Sequence, residues 1–137
     1  MAHKDKIINA MSVDVEDYFQ VGAFEKIIDQ KDWDTLPCRV EQNTHAVLDI
    51  FAEADVKATF FTLGWVAERY PQVIKRIVTD GHEVASHGMK HVRAFSQSPE
   101  EFRADVRQSK AMLEDISGEA VKGYRAASFS IGSGNLW

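Results

Sequence analysis

The sequence lacks the features that define several common protein classes. It has one cysteine, Cys38, in 137 residues, which excludes an internal disulfide and a thiolate metal cluster. Its apolar runs are only a few residues long, far short of the roughly 20 that cross a bilayer, and residues 1–6 contain no apolar signal core. The 16 basic and 21 acidic residues are interspersed, so no basic stretch favours nucleic acid. We expect one domain over residues 1–137, with no nucleic-acid partner and no transmembrane segment, located in the cytoplasm.

Short apolar runs alternate with amphipathic stretches along the chain. Strand-like runs cover residues 7–14, 57–64, 83–86 and 121–124. Helix-like stretches cover residues 40–54, 65–80 and 98–116, and residues 18–39 are expected to form a loop with a short helix. Ser98 and Pro99 mark the start of the last helix, and Gly118 marks its end. This alternation predicts the α/β fold class, with a parallel sheet and β-α-β crossovers.

Chemically active side chains follow three of the predicted strands. Three of the five histidines lie within residues 81–91, and His87 and His91 are four residues apart directly after a strand. Three carboxylates, those of Asp14, Glu16 and Asp17, end the first strand, and Arg125 follows the fourth. Active groups of parallel sheets gather at the carboxyl ends of the strands. Two imidazoles and a carboxylate would suit zinc or a neighbouring first-row metal and leave positions open for water and substrate.

Each of these signals also has a simpler explanation when it is taken alone. His87 and His91 could be surface or capping histidines, the acidic cluster could be a solvated turn that caps the next helix, and Arg125 could be a surface arginine. His82, beside Gly81, is expected to be a turn residue rather than a ligand. Their coincidence at equivalent ends of neighbouring strands favours a metal site.

The same segments resemble the motifs of a known family, the polysaccharide deacetylases of the NodB-homology type (carbohydrate esterase family 4). The run from Ser12 to Asp17 resembles its first motif, usually Thr-Phe-Asp-Asp. The run from Gly81 to His91 resembles its second motif, His-(Ser/Thr)-x-x-His, and the run from Gly123 to Ala127 resembles the third, Arg-x-Pro. The chain is most similar to the branch associated with exopolysaccharide and exosortase loci, and the match runs from about residue 7 to the end.

This resemblance implies a distorted (β/α) barrel that removes N-acetyl groups from a polysaccharide with the help of a divalent metal, by default Zn²⁺. It implies that Asp14 is the general base, that Arg125 orients Asp14, and that His87 and His91 are metal ligands. The motif usually places the metal carboxylate directly after the base, where this chain has Val15. Glu16 is the expected metal carboxylate, because residues two apart on a strand face the same side, and Asp17 is the alternative.

Two departures from the family pattern change the expectation for this chain. Ala127 stands where the third motif has proline, so the loop that carries Arg125 is expected to be less rigid. At roughly 30 residues per β-α unit the chain holds about half of a barrel, its N-terminal half. The family's later motifs, including the histidine that acts as general acid, find no match, and His45 in a helix is a poor substitute.

These departures predict metal binding with little or no turnover by this polypeptide, and self-association through an incomplete barrel. Two alternative functions stay open at this point. One is an amidase of the same fold that acts on a small non-peptide amide, and the other is a non-catalytic carbohydrate-binding remnant.

Overall fold

A three-stranded parallel sheet forms the centre of the computed structural model, which describes residues 7–136. The strands are β1 (Met11–Val15), β2 (Ala58–Thr62) and β3 (Glu83–Ser86), in the order β1-β2-β3. In the register, Asp14 lies beside Phe61 and Thr62 lies beside Ser86. The predicted α/β class with a parallel sheet is therefore confirmed.

Four α-helices connect and cover the strands. They are α1 (Val40–Glu53), α2 (Gly64–Arg69), α3 (Pro71–Thr79) and α4 (Pro99–Ser117). Five short 3-10 helices accompany them: Tyr18–Gln20, Gln30–Thr35, Ala94–Ser96, Ala127–Phe129 and Ser133–Asn135. Among residues 7–136, none of the helices has both the length and the apolar character needed to cross a membrane.

The core lies between the sheet and these helices. Strand β2 is the middle strand, and Phe60 at its centre is fully buried. Large buried apolar side chains pack around it. They come from the end of β1, from the segment between β1 and α1, from Leu63 before α2 and from all four helices: Val15, Phe19, Trp33, Leu48, Leu63, Trp65, Ile74, Ile77 and Leu113. Burial of these side chains is the main force that holds helices on a parallel sheet.

Helix α4 begins and ends as its sequence predicts. Ser98 accepts a hydrogen bond from the Glu101 N–H, and the Glu101 carboxylate accepts one from the Ser98 N–H, which forms a capping box. At the other end Gly118 adopts a left-handed conformation with φ of 71°, a conformation that glycine adopts at little cost.

Three predicted elements differ from the structure. The predicted helix over residues 65–80 is two helices, because Tyr70 before Pro71 has φ −127° and ψ 55° and breaks the helical path. The predicted strand over residues 121–124 is reduced to a single bridge between Ser86 and Tyr124. The first strand begins at Met11 rather than at residue 7.

Candidate functional site

Two imidazoles and one carboxylate meet at the carboxyl end of the sheet. Glu16 follows β1 directly, while His87 and His91 follow β3 on one loop. One donor atom of each side chain lies within 4.8 Å of the other two, which is a group that could hold a metal ion. Parallel pairing of β1, β2 and β3 brings these ends together, so residues 71 or more positions apart in sequence become neighbours.

The Glu16 carboxylate shows how well this group fits a cation. Its Oε2 atom is buried, lying 3.0 Å from His91 Nε2 and 3.6 Å from His87 Nε2. Within the described part of the chain, however, Oε2 accepts no hydrogen bond of good geometry. A buried carboxylate oxygen without a hydrogen bond is costly unless a positive charge lies beside it. The donor set therefore fits a divalent ion bound between the three side chains.

The ring of His87 is held by the backbone of the third motif. His87 Nδ1 lies 2.7 Å from the Arg125 carbonyl oxygen, so Nδ1 carries the hydrogen and Nε2 is left with its lone pair towards Glu16. A second partner of this kind is typical of histidines that bind metals, because it sets both tautomer and orientation. Burial lowers the pKa of His87, but the Glu16 carboxylate, the Arg125 carbonyl and Asp14 outweigh it and raise the pKa above its usual value.

His91 reaches the site through an unusual backbone conformation. Its φ is 56°, in the left-handed region that non-glycine residues rarely occupy, and its ring lies edge-on to that of His87 at a centroid distance of 5.1 Å. Burial is the main cause of a lowered pKa for His91, which favours the neutral imidazole. A neutral imidazole is the form that binds a metal.

Asp14 lies beside this group and is held by Arg125. Arg125 Nη1 donates to Asp14 Oδ1 at 2.6 Å, and Nη2 donates to Ser12 Oγ at 2.8 Å. The guanidinium also lies 4.0 Å from the centre of the Phe61 ring, a cation–π contact that limits its movement. Asp14 therefore has one oxygen bound to Arg125, and within residues 7–136 no hydrogen bond is found for the other, Oδ2.

A cavity of about 470 Å³ opens over these side chains. Asp14, Glu16, His87, His91 and Arg125 all line it, together with apolar or small residues of the two neighbouring loops: Val21, Gly22, Ala126, Ser128, Phe129 and Ile131. The predicted site residues apart from Asp17 thus share one cavity.

Asp17 lies outside this cavity and has a different environment. Its carboxylate accepts hydrogen bonds from the backbone N–H groups of Tyr18, Arg39 and Val40 at 2.9, 2.6 and 2.9 Å. With its oxygens occupied by these donors and its side chain buried, Asp17 ties the end of β1 to the start of α1. The geometry favours Glu16 over the alternative carboxylate.

The other two described histidines are placed away from the site. His82 directly follows the turn at Gly81 and is not among the candidate ligands; its side chain is buried, and its Nδ1 accepts the Ala58 N–H at 3.1 Å. His45 on α1 lies 3.1 Å from Arg76 Nη1, so it contacts α3 rather than the cavity. Sequence reasoning missed Ser12 and Phe61 as partners of Arg125. Ser12 stands two residues before Asp14 in the sequence. Phe61 lies beside Asp14 in the sheet register, which the sequence alone does not give.

Comparisons with known proteins agree with this arrangement. A model of the family described as "Polysaccharide deacetylase" matches residues 32–133. A chitooligosaccharide deacetylase from Sinorhizobium fredii is 34% identical over 93 residues, which cover 68% of this chain and 43% of that protein. A peptidoglycan-N-acetylglucosamine deacetylase from Bacillus cereus is 34% identical over 79 residues, which cover 58% of this chain and 29% of the relative.

Solved structures show the same fold. The crystal structure of a peptidoglycan N-acetylglucosamine deacetylase aligns with a TM-score of 0.71 at 26% identity, covering 93% of this chain and 49% of that one. The chain therefore spans less than half the length of these relatives, consistent with part of a distorted (β/α) barrel. The match of the family model over most of the sequence shows that this chain belongs to the polysaccharide deacetylase family.

Proposed function

We propose that this chain contributes the metal-binding and proton-accepting part of an enzyme that removes N-acetyl groups from a polysaccharide. The observation that carries the proposal is the meeting of Glu16, His87 and His91 beside an Asp14 that Arg125 holds in place. Family membership supports the reaction class, and the geometry of the site supports the residue roles that we propose.

Glu16, His87 and His91 would hold a divalent cation, with Zn²⁺ as the default for two imidazoles and a carboxylate. Such an ion supplies Lewis acidity, which polarises a carbonyl oxygen and makes water more acidic. The chain's own part is to keep both Nε2 atoms turned towards Glu16. The bond from His87 Nδ1 to the Arg125 carbonyl serves that purpose.

Asp14 would accept the proton of the attacking water as general base. Arg125 donates to Oδ1 and Asp14 lines the cavity, so Oδ2 would be the proton acceptor. A base in a fixed position contributes typically about 10²–10⁴-fold to such a reaction. The Arg125 guanidinium therefore positions the base, Asp14. The backbone carbonyl of Arg125 orients His87, one of the proposed metal ligands.

Expulsion of the amine also needs a proton donor. Of residues 7–136, His87 and His91 are the only histidines that line the cavity, and both are proposed as ligands. We therefore expect metal binding with little acetate release from the 137-residue polypeptide, which matches 29% and 43% of the length of two curated relatives. A complete enzyme would draw its acid from elsewhere in the barrel.

The substrate class we propose is an N-acetylated polysaccharide or oligosaccharide. Its support is the family match and the names of the relatives, which act on chitooligosaccharide and peptidoglycan. Membership of the exopolysaccharide-associated branch stays a prediction from the sequence resemblance.

Metal analysis combined with acetate release from N-acetylglucosamine oligomers tests the proposal. After dialysis the wild type should retain one ion per chain, and His87→Ala should lose it. His45→Ala is the matched control, because His45 contacts α3 outside the cavity, and it should retain the ion.

Arg125→Ala separates the two roles of that residue. It keeps the backbone carbonyl that holds His87, so metal content should stay unchanged, while any acetate release should fall by about tenfold or more because Asp14 loses its fixed position. A wild type without bound metal, or a His87→Ala variant that binds as well as wild type, would contradict the proposal.

A further inference from the structure

The loop between the two candidate imidazole ligands is anchored to helix α4. Asp105 on α4 faces the Met89 backbone N–H, with Oδ1 at 3.1 Å and Oδ2 at 3.3 Å from the nitrogen. Met89 lies midway between His87 and His91 in sequence. A side chain on a helix thus contacts the backbone that sets the spacing of the two rings.

Other backbone groups of Gly88 and Met89 are bound by Ser86 and by the start of α2. The Gly88 N–H donates to Ser86 Oγ at 3.1 Å. The carbonyls of Gly88 and Met89 accept the N–H groups of Gly64 and Trp65 at the start of α2, both at 2.9 Å. Among the described residues, Asp105 is the only partner of the Met89 N–H, so its loss would leave that buried donor without an acceptor.

Gly88 shows that Asp105 fits tightly against the loop. Gly88 has φ of +80°, and a Cβ built at this position would lie 2.7 Å from Asp105 Oδ2. The motif that this loop resembles has serine or threonine at the position after the first histidine. In this chain the carboxylate from α4 occupies the space that such a side chain would need.

A second contact, one helical turn later, joins α4 to Ser86, the last residue of β3. Ser109 Oγ lies 2.7 Å from Ser86 Oγ and donates to the Val106 carbonyl. Because Ser109 gives its one hydroxyl hydrogen to the Val106 carbonyl, Ser86 is the donor between the two hydroxyls. Asp105 and Ser109 are four residues apart and share one face of α4, so this face contacts the loop at Met89 and the end of β3 at Ser86, which in turn accepts the Gly88 N–H.

We propose that Asp105 is a positioning residue for the metal site: by accepting the Met89 N–H it holds the backbone between His87 and His91 so that both Nε2 atoms meet at Glu16. This inference rests on the metal site proposed above. Asp105 itself touches neither the candidate ligands nor the cavity residues through any hydrogen bond in the described chain.

The expected effect is on metal affinity. Without the anchor the loop samples conformations in which His91 turns away, and the apparent affinity falls with the fraction of competent molecules. Partners that orient metal ligands typically account for about 10–100-fold in affinity. Asp105→Ala should therefore weaken Zn²⁺ binding by about 10–100-fold.

Two further variants separate the shape of the side chain from its charge. Asp105→Asn keeps an oxygen at the same place without the charge, and should bind Zn²⁺ within about threefold of wild type, because a neutral acceptor still satisfies the Met89 N–H. Asp105→Glu keeps the charge but moves the carboxylate by one methylene, and should weaken binding by about tenfold. Asp115→Ala is the matched control, an exposed acid on the same helix.

The experiment is a Zn²⁺ titration of the full 137-residue chain against a competing chromophoric chelator, with circular dichroism confirming that each apo variant is folded at the assay temperature. Weak binding by the Ala and Glu variants, with wild-type affinity in the Asn and Asp115→Ala variants, supports the inference. If Asp105→Ala does not fold, the Glu and Asn pair decides it alone.

Wild-type affinity in Asp105→Ala or Asp105→Glu, or equal loss in Asp105→Asn, overturns the positioning role while leaving the metal site intact. A wild type that binds no Zn²⁺ overturns the proposed metal site, and the positioning role with it. The two failures are therefore distinguishable.

Discussion

Two neighbouring carboxylates, Glu16 and Asp17, differ completely in what they contact. Successive side chains at the end of a strand point in opposite directions, so Glu16 shares the side of Asp14 and enters the cavity, whereas Asp17 turns towards α1. Its three backbone hydrogen bonds make Asp17 a structural residue at the start of that helix. A one-residue step thus separates a candidate ligand from a structural acid.

Replacement of Asp17 should therefore change stability and leave metal binding unchanged. Asp17→Ala leaves the part-buried N–H of Arg39 and the buried N–H of Val40 without their acceptor, which costs about 1–3 kcal/mol of unfolding free energy. Urea denaturation measures that loss, and a Zn²⁺ titration of the same variant should give the wild-type affinity. Glu16→Ala is the counterpart, with lost metal binding and a smaller change in stability. The reverse pattern would identify Asp17 as the ligand.

The sequence predicts the candidate site residues at the strand ends, but not the residues that hold them in position. His87, His91, Asp14 and Arg125 were predicted because parallel strands gather their carboxyl ends, and the structure brings them to one cavity. Asp105 lies within an ordinary amphipathic helix, and nothing in its local sequence distinguishes it from the exposed acids of that helix. Its contact with Met89 depends on how α4 packs on β3, which local patterns do not encode.

At the scale of elements, the sequence was most accurate where turn and cap signals were strong. Strand β3 was predicted as residues 83–86 and is Glu83–Ser86, and α4 has the predicted caps. The break at Tyr70 had a signal, Pro71, since the residue before proline disfavours helix. The predicted strand at 121–124 is wrong, because strand pairing depends on how distant segments pack together. Only Tyr124 forms a bridge, with Ser86.

His82 connects two of these elements from within the core. Its Nδ1 accepts the Ala58 N–H at the start of β2, and its ring packs on Phe60 at 5.0 Å. Burial, assisted by the charge of Lys57 and opposed by that of Asp80, lowers the pKa of His82. The folded chain therefore keeps His82 neutral at pH values where the unfolded chain protonates it.

This difference in pKa makes stability fall in acid. Below the unfolded value of about 6.5, the unfolded state binds more protons than the folded state, so the free energy of unfolding decreases with decreasing pH until the folded pKa is reached. The contribution of His82 has a slope of at most about 1.4 kcal/mol per pH unit. His82→Asn, which retains an acceptor that does not titrate, should show a shallower pH dependence between pH 5 and 6.5 in urea denaturation. Equal slopes in the two proteins would contradict this role.

At the scale of the molecule, the sheet has an edge at β1. Within residues 7–136, β1 pairs with β2 alone, and the apolar side chain of Met11 on this strand is half exposed. Further exposed apolar side chains are Ile7 and Ile8 before β1, Phe129 and Ile131 at the cavity, and Phe95 and Leu136 elsewhere. An unpaired strand with apolar neighbours favours association with another chain.

The 137-residue chain should therefore form dimers or larger assemblies at micromolar concentration. Met11→Lys places a charge on the edge strand, a device that blocks strand pairing, and should shift the population towards monomer in size-exclusion chromatography with light scattering. Ile27→Lys, at an exposed position in the segment before α1, is the matched control and should leave the distribution unchanged. A monodisperse, stable wild-type monomer would contradict the prediction.

The most direct test of the metal site is the anomalous difference map of a crystal soaked in zinc, recorded at the zinc absorption edge. We expect one strong peak about 2.0–2.2 Å from His87 Nε2, His91 Nε2 and a Glu16 carboxylate oxygen, with Asp14 and Arg125 still paired beside it. A map with no peak among these three side chains, in a crystal where zinc is bound elsewhere, would contradict the proposed metal site.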